Sequence, residues 1–487
     1  MSDRLSLARL AALRPQVSRP AYDPARLGRG IVHLGIGAFH RAHQALYTDA
    51  VIGAGDLRWG IIGVSLRGTA VREALLPQDC LYSVLERHGE VMRARVVGAV
   101  RTVLHAPSML DAVLQALADP AVQVVTITVT EKGYCQHPAT GDLDIRHPDI
   151  VHDLAHADAP RSTLGVLAAG IRRRAAQAPL TVLCCDNMAD NGDTVRKLLA
   201  QFAGLSAPGL VRRIETEIAF PNSMVDRIVP AATPESLAWA QAQLGLRDEA
   251  AIVCEPFTQW VIEDRFAGAR PAWERVGALL TDDVRPYQAM KLRLLNGSHS
   301  AIAYLGQLRG LETVAEVMAD AVLGTFVRRL MTEDLRATVA APAGYDVLAY
   351  CHELLHRFEN PTLQHRTEQI AMDGTQKVPV RWLPGLRESL ASGIERPRLE
   401  RALATWLHYL GAGRAENGNG LRIDDPGAAA LGECIRAAGG EAHAAIRAAL
   451  AHAPVFGREP WPEAFVSRLA AHLATLRRGG VRALLQD

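Results

Sequence analysis

Apolar residues in the first part of the chain fall into short, separated runs. In Arg29–Gly37 (RGIVHLGIG), Ile31, Val32, Leu34 and Ile36 make a β-type run that glycines stop. Ala38–Ala54 then reads as a helix, and Trp59–Ser65 (WGIIGVS) as a second strand. Leu81–Glu86 and Val91–Val100 flank His88-Gly89-Glu90, the pattern of a hairpin inserted among α/β units. Ser108–Ala118 sets Leu110, Val113, Leu114 and Leu117 at helical spacing. Val122–Thr130 (VQVVTITVT) is so rich in β-branched residues that burial on both faces is expected. A helix at Thr163–Ala176, a strand at Leu180–Cys184 and a helix at Asp193–Phe202 follow, and further apolar runs end near Pro221 and Glu255. Strands alternating with helices of this length predict an α/β domain of Rossmann type, a doubly wound and mostly parallel sheet.

The texture changes after Thr281. From Asp282 onward only helical patterns occur, among them Pro286–Leu295, Glu312–Thr332, Asp346–Phe358 and Arg398–Leu410. Two domains are expected, an α/β domain over 1–281 and an all-α C-terminal domain over 282–487. A length of 487 residues is large for one core and agrees with that division.

Charge and composition narrow the function. Lys plus Arg total 53 against 52 for Asp plus Glu, so no net field draws in nucleic acid or an anionic membrane. No basic stripe carries interleaved aromatics. No apolar run approaches the ~20 residues of a membrane span, and the Arg-punctuated start MSDRLSLARLAALRPQ has no apolar signal core. Seven cysteines without a CxxC pair read as free thiols in a reducing compartment. A soluble, cytoplasmic enzyme is expected, with no nucleic-acid or membrane partner, acting as a monomer or weak homodimer.

The chemistry-bearing positions begin where the first strand ends. Gly35-Ile36-Gly37-Ala38-Phe39-His40 has the strand–glycine loop–helix layout of a dinucleotide site, in which glycines let the backbone approach a pyrophosphate and the helix start offers free N–H groups. The third glycine of GxGxxG is replaced by His40. The second strand ends Val64-Ser65-Leu66-Arg67 without the acidic residue that holds the ribose of NAD, and Arg67 can face a 2′-phosphate or be a solvated cation. NAD versus NADP stays open from this feature.

The segment Tyr287–His299 (YQAMKLRLLNGSH) permits two readings. Tyr287 and Lys291 match the YxxxK pair of short-chain dehydrogenases, but those chains are much shorter and hold the pair inside one α/β domain. Alternatively Lys291, Asn296 and His299 lie on one helical arc, with Asn296 about 140° and His299 about 80° from Lys291. Asn, Gly and Ser are poor mid-helix choices, which argues against an ordinary amphipathic helix. After the Leu180 strand, Asn187 in CCDNMADNG lies just past a strand's carboxyl end, where such sheets bind ligands. Asp190 or Asn191 suits a cap of the next helix better than Asn187 does. The adjacent Cys184 and Cys185 cannot easily share one metal ion and have no CxxC partner, so no metal is expected.

IVHLGIGAFHRAHQALYTD, TVTEKGYC, CCDNMADNG, FPNSMVDRIVP, CEPFTQWVIED, MKLRLLNGSHS and IAMDGTQKVP together resemble the mannitol dehydrogenase family, the polyol-specific long-chain dehydrogenases and reductases. The resemblance runs from about Ile31 to the C-terminus. It implies NAD as cofactor, a Rossmann-type domain followed by a helical domain, and a metal-free active site between them. It implies hydride transfer to or from a secondary alcohol, with Lys291 as general acid/base, Asn187 and Asn296 donating to the substrate oxygen, and His299 positioning a neighbouring hydroxyl. Val225 and Asp226 join the glycine loop and Arg67 as cofactor-binding positions. Polyol-acting members tend to carry Gly where this chain has Lys132, and His365-Arg366-Thr367-Glu368-Gln369 with Asp373–Lys377 follows the sugar-acid-reducing members. Lys132, Arg366 and Lys377 are therefore expected to serve a substrate carboxylate, Arg366 best of all through paired hydrogen bonds. The substrate is a sugar acid or a polyol. Two positions depart from the family pattern, Cys184 for a usual Ser and Thr375 in a usual DGSQK. A non-catalytic nucleotide-binding protein is the rival class, opposed by the intact Lys, Asn and His set.

Overall fold

The computed structural model describes residues 3–89, 91–137, 140–438 and 440–486. Glu90, in the expected hairpin turn, lies outside them. The chain divides into two compact units, Met1–Arg285 and Pro286–Asp487.

The first unit is built on six parallel strands, β1 (Ile31–Leu34), β2 (Ile61–Ser65), β3 (Val100–His105), β4 (Val124–Ile127), β5 (Leu180–Cys184) and β6 (Ile218–Ala219). Their order is β3-β2-β1-β4-β5-β6, the doubly wound arrangement in which direction reverses between β1 and β4. Strand alternation explains why the runs are nearly all apolar. Val32 and Leu34, Ile62 and Val64, Val125 and Ile127, and Val182 and Cys184 fill one core, while Ile31, Ile61, Val124 and Leu183 fill a second core on the other face. Both faces are covered, so most positions are apolar and the polar ones, such as His33 and Thr126, are hydrogen-bonded.

Two smaller sheets complete this unit. Val17–Ser18, Val91–Val97, Tyr82–His88 and Ile252–Cys254 form one, with the expected hairpin pairing Tyr82 with Val97. The apolar run Val91–Val100 is not one strand. It ends at Val97, and Val100 begins β3 in the main sheet. Gly98 is the joint: a Cβ there would press on Pro24, Pro20 and Tyr22. The other sheet is Ser223–Asp226, Gln259–Glu263 and Leu279–Thr281.

The helix expected over Ala38–Ala54 is broken in two, Ala38–Ala42 and Gln44–Gly53, at His43 (φ −127°, ψ −91°). His43 there bonds the Gln259 carbonyl through Nε2 at 2.9 Å and stacks on Phe39. The second unit contains helices over the whole C-terminal part, without a named strand among its described residues. Its centre is one continuous helical rod, Arg285–Arg309, whose middle turn, Lys291–Asn296, is π-helical.

Beneath the first loop, His33 of β1 and His40 stack with centroids 3.3 Å apart and planes 11° from parallel. His33 bonds Thr126 at 2.7 Å and Thr128 at 3.0 Å. Burial pushes His33 from 6.5 down to about 3, and burial with the neighbouring His33 pushes His40 well below 6.5. Unfolded histidines take up protons below about 6.5 whereas these do not, so their contribution is complete above that pH and is lost as the pH falls. We expect His40→Phe to reduce the loss of unfolding free energy between pH 6 and 4 by about 1.4 kcal/mol per pH unit, read from denaturant midpoints. Identical slopes in the two proteins would refute this.

Candidate functional site

The carboxyl ends of β1 and β4 meet at Gly35. Gly35 has φ +91°, and a Cβ there would collide with the Thr128 carbonyl oxygen, so strand packing alone demands glycine. Gly37 differs. Its backbone is extended, and a Cβ would meet nothing nearer than the Gly35 oxygen at 3.8 Å. The fold therefore does not require Gly37 to be glycine, and the open space beside it suits the close approach of a phosphate. The helix that follows has only five residues before its break, so the macrodipole expected there is short; the N–H groups of Gly35 and Ile36 donate to the Val64 oxygen and that of Gly37 to the Gly35 oxygen, so the amides of the helix start, from Ala38 on, are the donors suited to an anion.

Not every residue of the loop is available to a ligand. Ile36 is buried over Gly63, and His40 is buried on His33. His40 thus corrects the sequence reading: the position of the third glycine is filled by an imidazole stack that belongs to the core. Ala38 and Phe39 are partly buried. Val225 is also a core side chain, so only its backbone can serve a cofactor, and Asp226 is buried beside it in the second sheet. Arg67 follows β2 with its side chain 82% exposed, 3.8 Å from Asp149.

Two segments on the same sheet edge carry the next candidates. Asn187 lies three residues beyond β5 and is exposed, and Lys132 lies on the Glu131–Tyr134 turn beyond β4 and is exposed too. Sequence reasoning missed what ties these segments together. The Asp186 carboxylate accepts from the N–H groups of Val129 (2.9 Å) and Thr130 (3.1 Å) and from the Tyr134 hydroxyl (2.6 Å). Burial raises the Asp186 carboxyl. Thr130 is held at φ +71°, ψ 158°, a conformation that only glycine adopts without strain. Asp190 makes no side-chain cap of the next helix, Asn191–Ser206. Asn191 and Asn222 both accept from the Gly192 N–H and Asn222 also from that of Asp193, while Asn191 donates to the carbonyls of Cys184, Asp186 and Ser223. Cys184 keeps its thiol 3.0 Å from the Tyr134 hydroxyl, and all seven cysteines are free thiols. Among the described residues no group of three or more His, Cys, Asp or Glu is placed to hold a metal ion, and no helix is long and apolar enough to cross a membrane.

In the second unit the π turn changes the expected arc. A turn bonded i→i+5 brings Asn296 closer to the face of Lys291 than the ~140° of an α-helix allows. Its displaced carbonyls are held from outside the rod: Arg381 donates to the Asn296 oxygen (3.1 Å) and to Ser300 Oγ (2.9 Å), and Trp382 Nε1 donates to the Gly297 oxygen (3.0 Å). The unusual Asn-Gly-Ser run was the sequence signal for this turn. Lys291 is 7% and His299 6% exposed. His299 packs against Phe358 and, edge to face, against His365. Burial drives His299 well below 6.5, and His365, Arg381, Arg357 and Lys291 drive it further. It is a neutral imidazole at pH 7.

Lys377 is half-buried and donates to the Ile370 oxygen at 3.2 Å. Thr375 keeps the hydroxyl of the residue it replaces and bonds Asp425. Arg366 departs from expectation. Its side chain is 55% exposed and pairs with Glu312 at 3.1 Å, the state of a solvated surface cation.

A parallel sheet reversing at β1/β4, with a glycine loop at that point, is the architecture of a dinucleotide-binding domain of the Rossmann class. Residues 29–275 match the mannitol dehydrogenase Rossmann domain and residues 283–477 the mannitol dehydrogenase C-terminal domain. The chain is 44% identical to D-mannonate oxidoreductase of Escherichia coli (strain K12), over 84% of this chain and 85% of that one. It is 40% identical to mannitol 2-dehydrogenase of Pyrenophora tritici-repentis (strain Pt-1C-BFP), over 87% and 76%. Its structure is similar to that of Pseudomonas fluorescens mannitol 2-dehydrogenase in a ternary complex with NAD and D-mannitol, with a TM-score of 0.90 and 37% identity over 99% and 98% of the two chains. The chain belongs to the mannitol dehydrogenase family.

The strain at Thr130 gives a test of this edge of the sheet. Thr130 is exposed, so Thr130→Gly loses little packing and relieves the backbone. We expect it to raise the unfolding free energy by about 1 kcal/mol in urea denaturation. A destabilised variant would show that the side chain contributes more than its conformation costs.

Proposed function

We propose that the chain is an NAD(H)-dependent fructuronate reductase, interconverting D-fructuronate and D-mannonate as a step of hexuronate breakdown in the reducing cytoplasm. Similarity to D-mannonate oxidoreductase over 84% of the chain supports it. The observation that carries the substrate assignment is electrostatic: the cationic side chains acting on the buried His299 are Arg381, Arg357 and Lys291, surroundings suited to an anionic substrate. Likeness to the mannitol-bound structure supports a second reading, mannitol 2-dehydrogenase.

The glycine loop fits a dinucleotide because a Cβ on Gly37 would fill space that no protein atom uses. The open side of Gly37 and the backbone of Ala38 would hold its phosphates, with Arg67, Val225 and Asp226 further along. When bound, the dinucleotide supplies or accepts the hydride. Lys291 holds the proton of the reacting hydroxyl, giving it in reduction and taking it in oxidation. A lysine that exchanges a proton near neutrality must be able to exist as the neutral amine, a form that burial and neighbouring positive charge favour. Asn187 and Asn296 donate N–H groups to the oxygen as it gains negative charge, and neutral His299 orients an adjacent hydroxyl.

Lys291→Ala should lower kcat at least about a hundredfold while NADH still quenches and shifts fluorescence as with the unaltered chain. Retention of a tenth of the activity would sink the acid/base role. Assayed by loss of NADH absorbance, D-fructuronate should be reduced with a kcat/KM at least about tenfold above that for D-fructose. The opposite order would make the protein a mannitol 2-dehydrogenase.

A further inference from the structure

The segment that the sequence suggested would deliver Arg366 to the substrate presents its neighbours instead. Residues 365–367 run extended beside 312–314: the Val314 N–H donates to the His365 oxygen and the Thr367 N–H to the Glu312 oxygen, both at 2.9 Å, about a bridge between Thr313 and Arg366. In an extended segment successive side chains point to opposite sides. Arg366 therefore turns outward to Glu312, while His365 and Thr367 turn inward. Thr367 is fully buried and anchors the segment to the central rod, accepting from Gln307 Nε2 at 2.9 Å and donating to the Leu311 oxygen at 2.8 Å.

That anchoring sets the His365 ring edge to face against His299, with centroids 5.2 Å apart and planes at 85°. Each imidazole buries one nitrogen with no hydrogen-bond partner among the described residues, Nδ1 of His365 and Nε2 of His299. Leaving two such groups unsatisfied side by side costs about 1–3 kcal/mol each. Each such orphan needs an explanation, and a ligand hydroxyl that completes the bonding is one. Burial brings His365 down to about 4, so both rings are neutral near pH 7 and offer hydrogen bonds to hydroxyls without a charge of their own.

We propose that His365 is a substrate-positioning residue for the reaction proposed above, a second imidazole beside His299 whose Nδ1 bonds a hydroxyl of the sugar chain. The assignment rests on that functional reading and adds to it a second polar contact, with a hydroxyl away from the reacting carbon. It also separates the two neighbours in sequence: His365 reads hydroxyls, and Arg366 contributes surface charge.

Two substitutions in the full chain separate hydrogen bonding from packing. His365→Phe keeps an aromatic edge against His299 but removes the nitrogen, and His365→Asn keeps a polar atom near the Nδ1 position but removes the ring. Steady-state kinetics with D-fructuronate and NADH, NADH binding by fluorescence, and thermal melts are measured for both. We expect His365→Phe to raise the KM for the sugar about tenfold with kcat within about threefold and NADH affinity unchanged, and His365→Asn to restore KM to within about threefold of the unaltered chain. An unaltered KM in His365→Phe, or equal losses in both variants, would overturn the assignment. Absence of turnover by the unaltered chain on every ketose and ketouronate would overturn the functional reading itself, and this inference with it.

Discussion

The constraint on which the first unit depends is the close approach of β1 and β4 at their carboxyl ends. These are the strands where the sheet reverses, and the Thr128 carbonyl occupies the space where any residue but glycine at position 35 would place its Cβ. His33 reinforces the junction by bonding Thr126 and Thr128 across it, and His40 lies flat on His33, fixing where the first helix begins. Asp186 extends the same bracing to β5 by gathering the amides of Val129 and Thr130. The crevice for a nucleotide is thus a consequence of strand packing, and the strain at Thr130 is located at its rim.

Much of this was legible from alternating apolar runs, because a sheet covered on both faces needs near-continuous hydrophobic strands. Leu180–Cys184 was read to the residue, and the change of texture after Thr281 follows from the loss of β-branched runs. What escaped was tertiary. The start of β3 was hidden at the end of the run Val91–Val100, since apolar continuity does not reveal a change of sheet at Gly98. His40 reads as a ligand-loop residue until its stacking partner, seven positions earlier, is seen beneath it. Arg366 looked like the carboxylate clamp because charge is visible in a sequence, whereas the side on which an extended residue points depends on its partner strand, here 312–314.

The helical unit shows the same division between composition and geometry. The Lys-x4-Asn-x2-His spacing carries the resemblance, and α-helical periodicity spreads those residues over an arc of about 140° around the rod. The π turn narrows that spread, and Arg381 and Trp382 hold the carbonyls it displaces. Arg381 has a second consequence: burial holds His299 neutral, and Arg381, with Arg357 and Lys291, pushes it further the same way. Structural bracing and an anion-favouring field come from the same side chain.

The central claim is that Gly35 serves the fold while Gly37 serves a dinucleotide. Titration of NADH into the unaltered chain and into Gly37→Ala, with melting followed alongside, tests it most directly. The account predicts equal melting temperatures and an affinity weakened at least about tenfold, roughly 1.4 kcal/mol, in the variant. Equal affinities, or a variant that melts early, would contradict it.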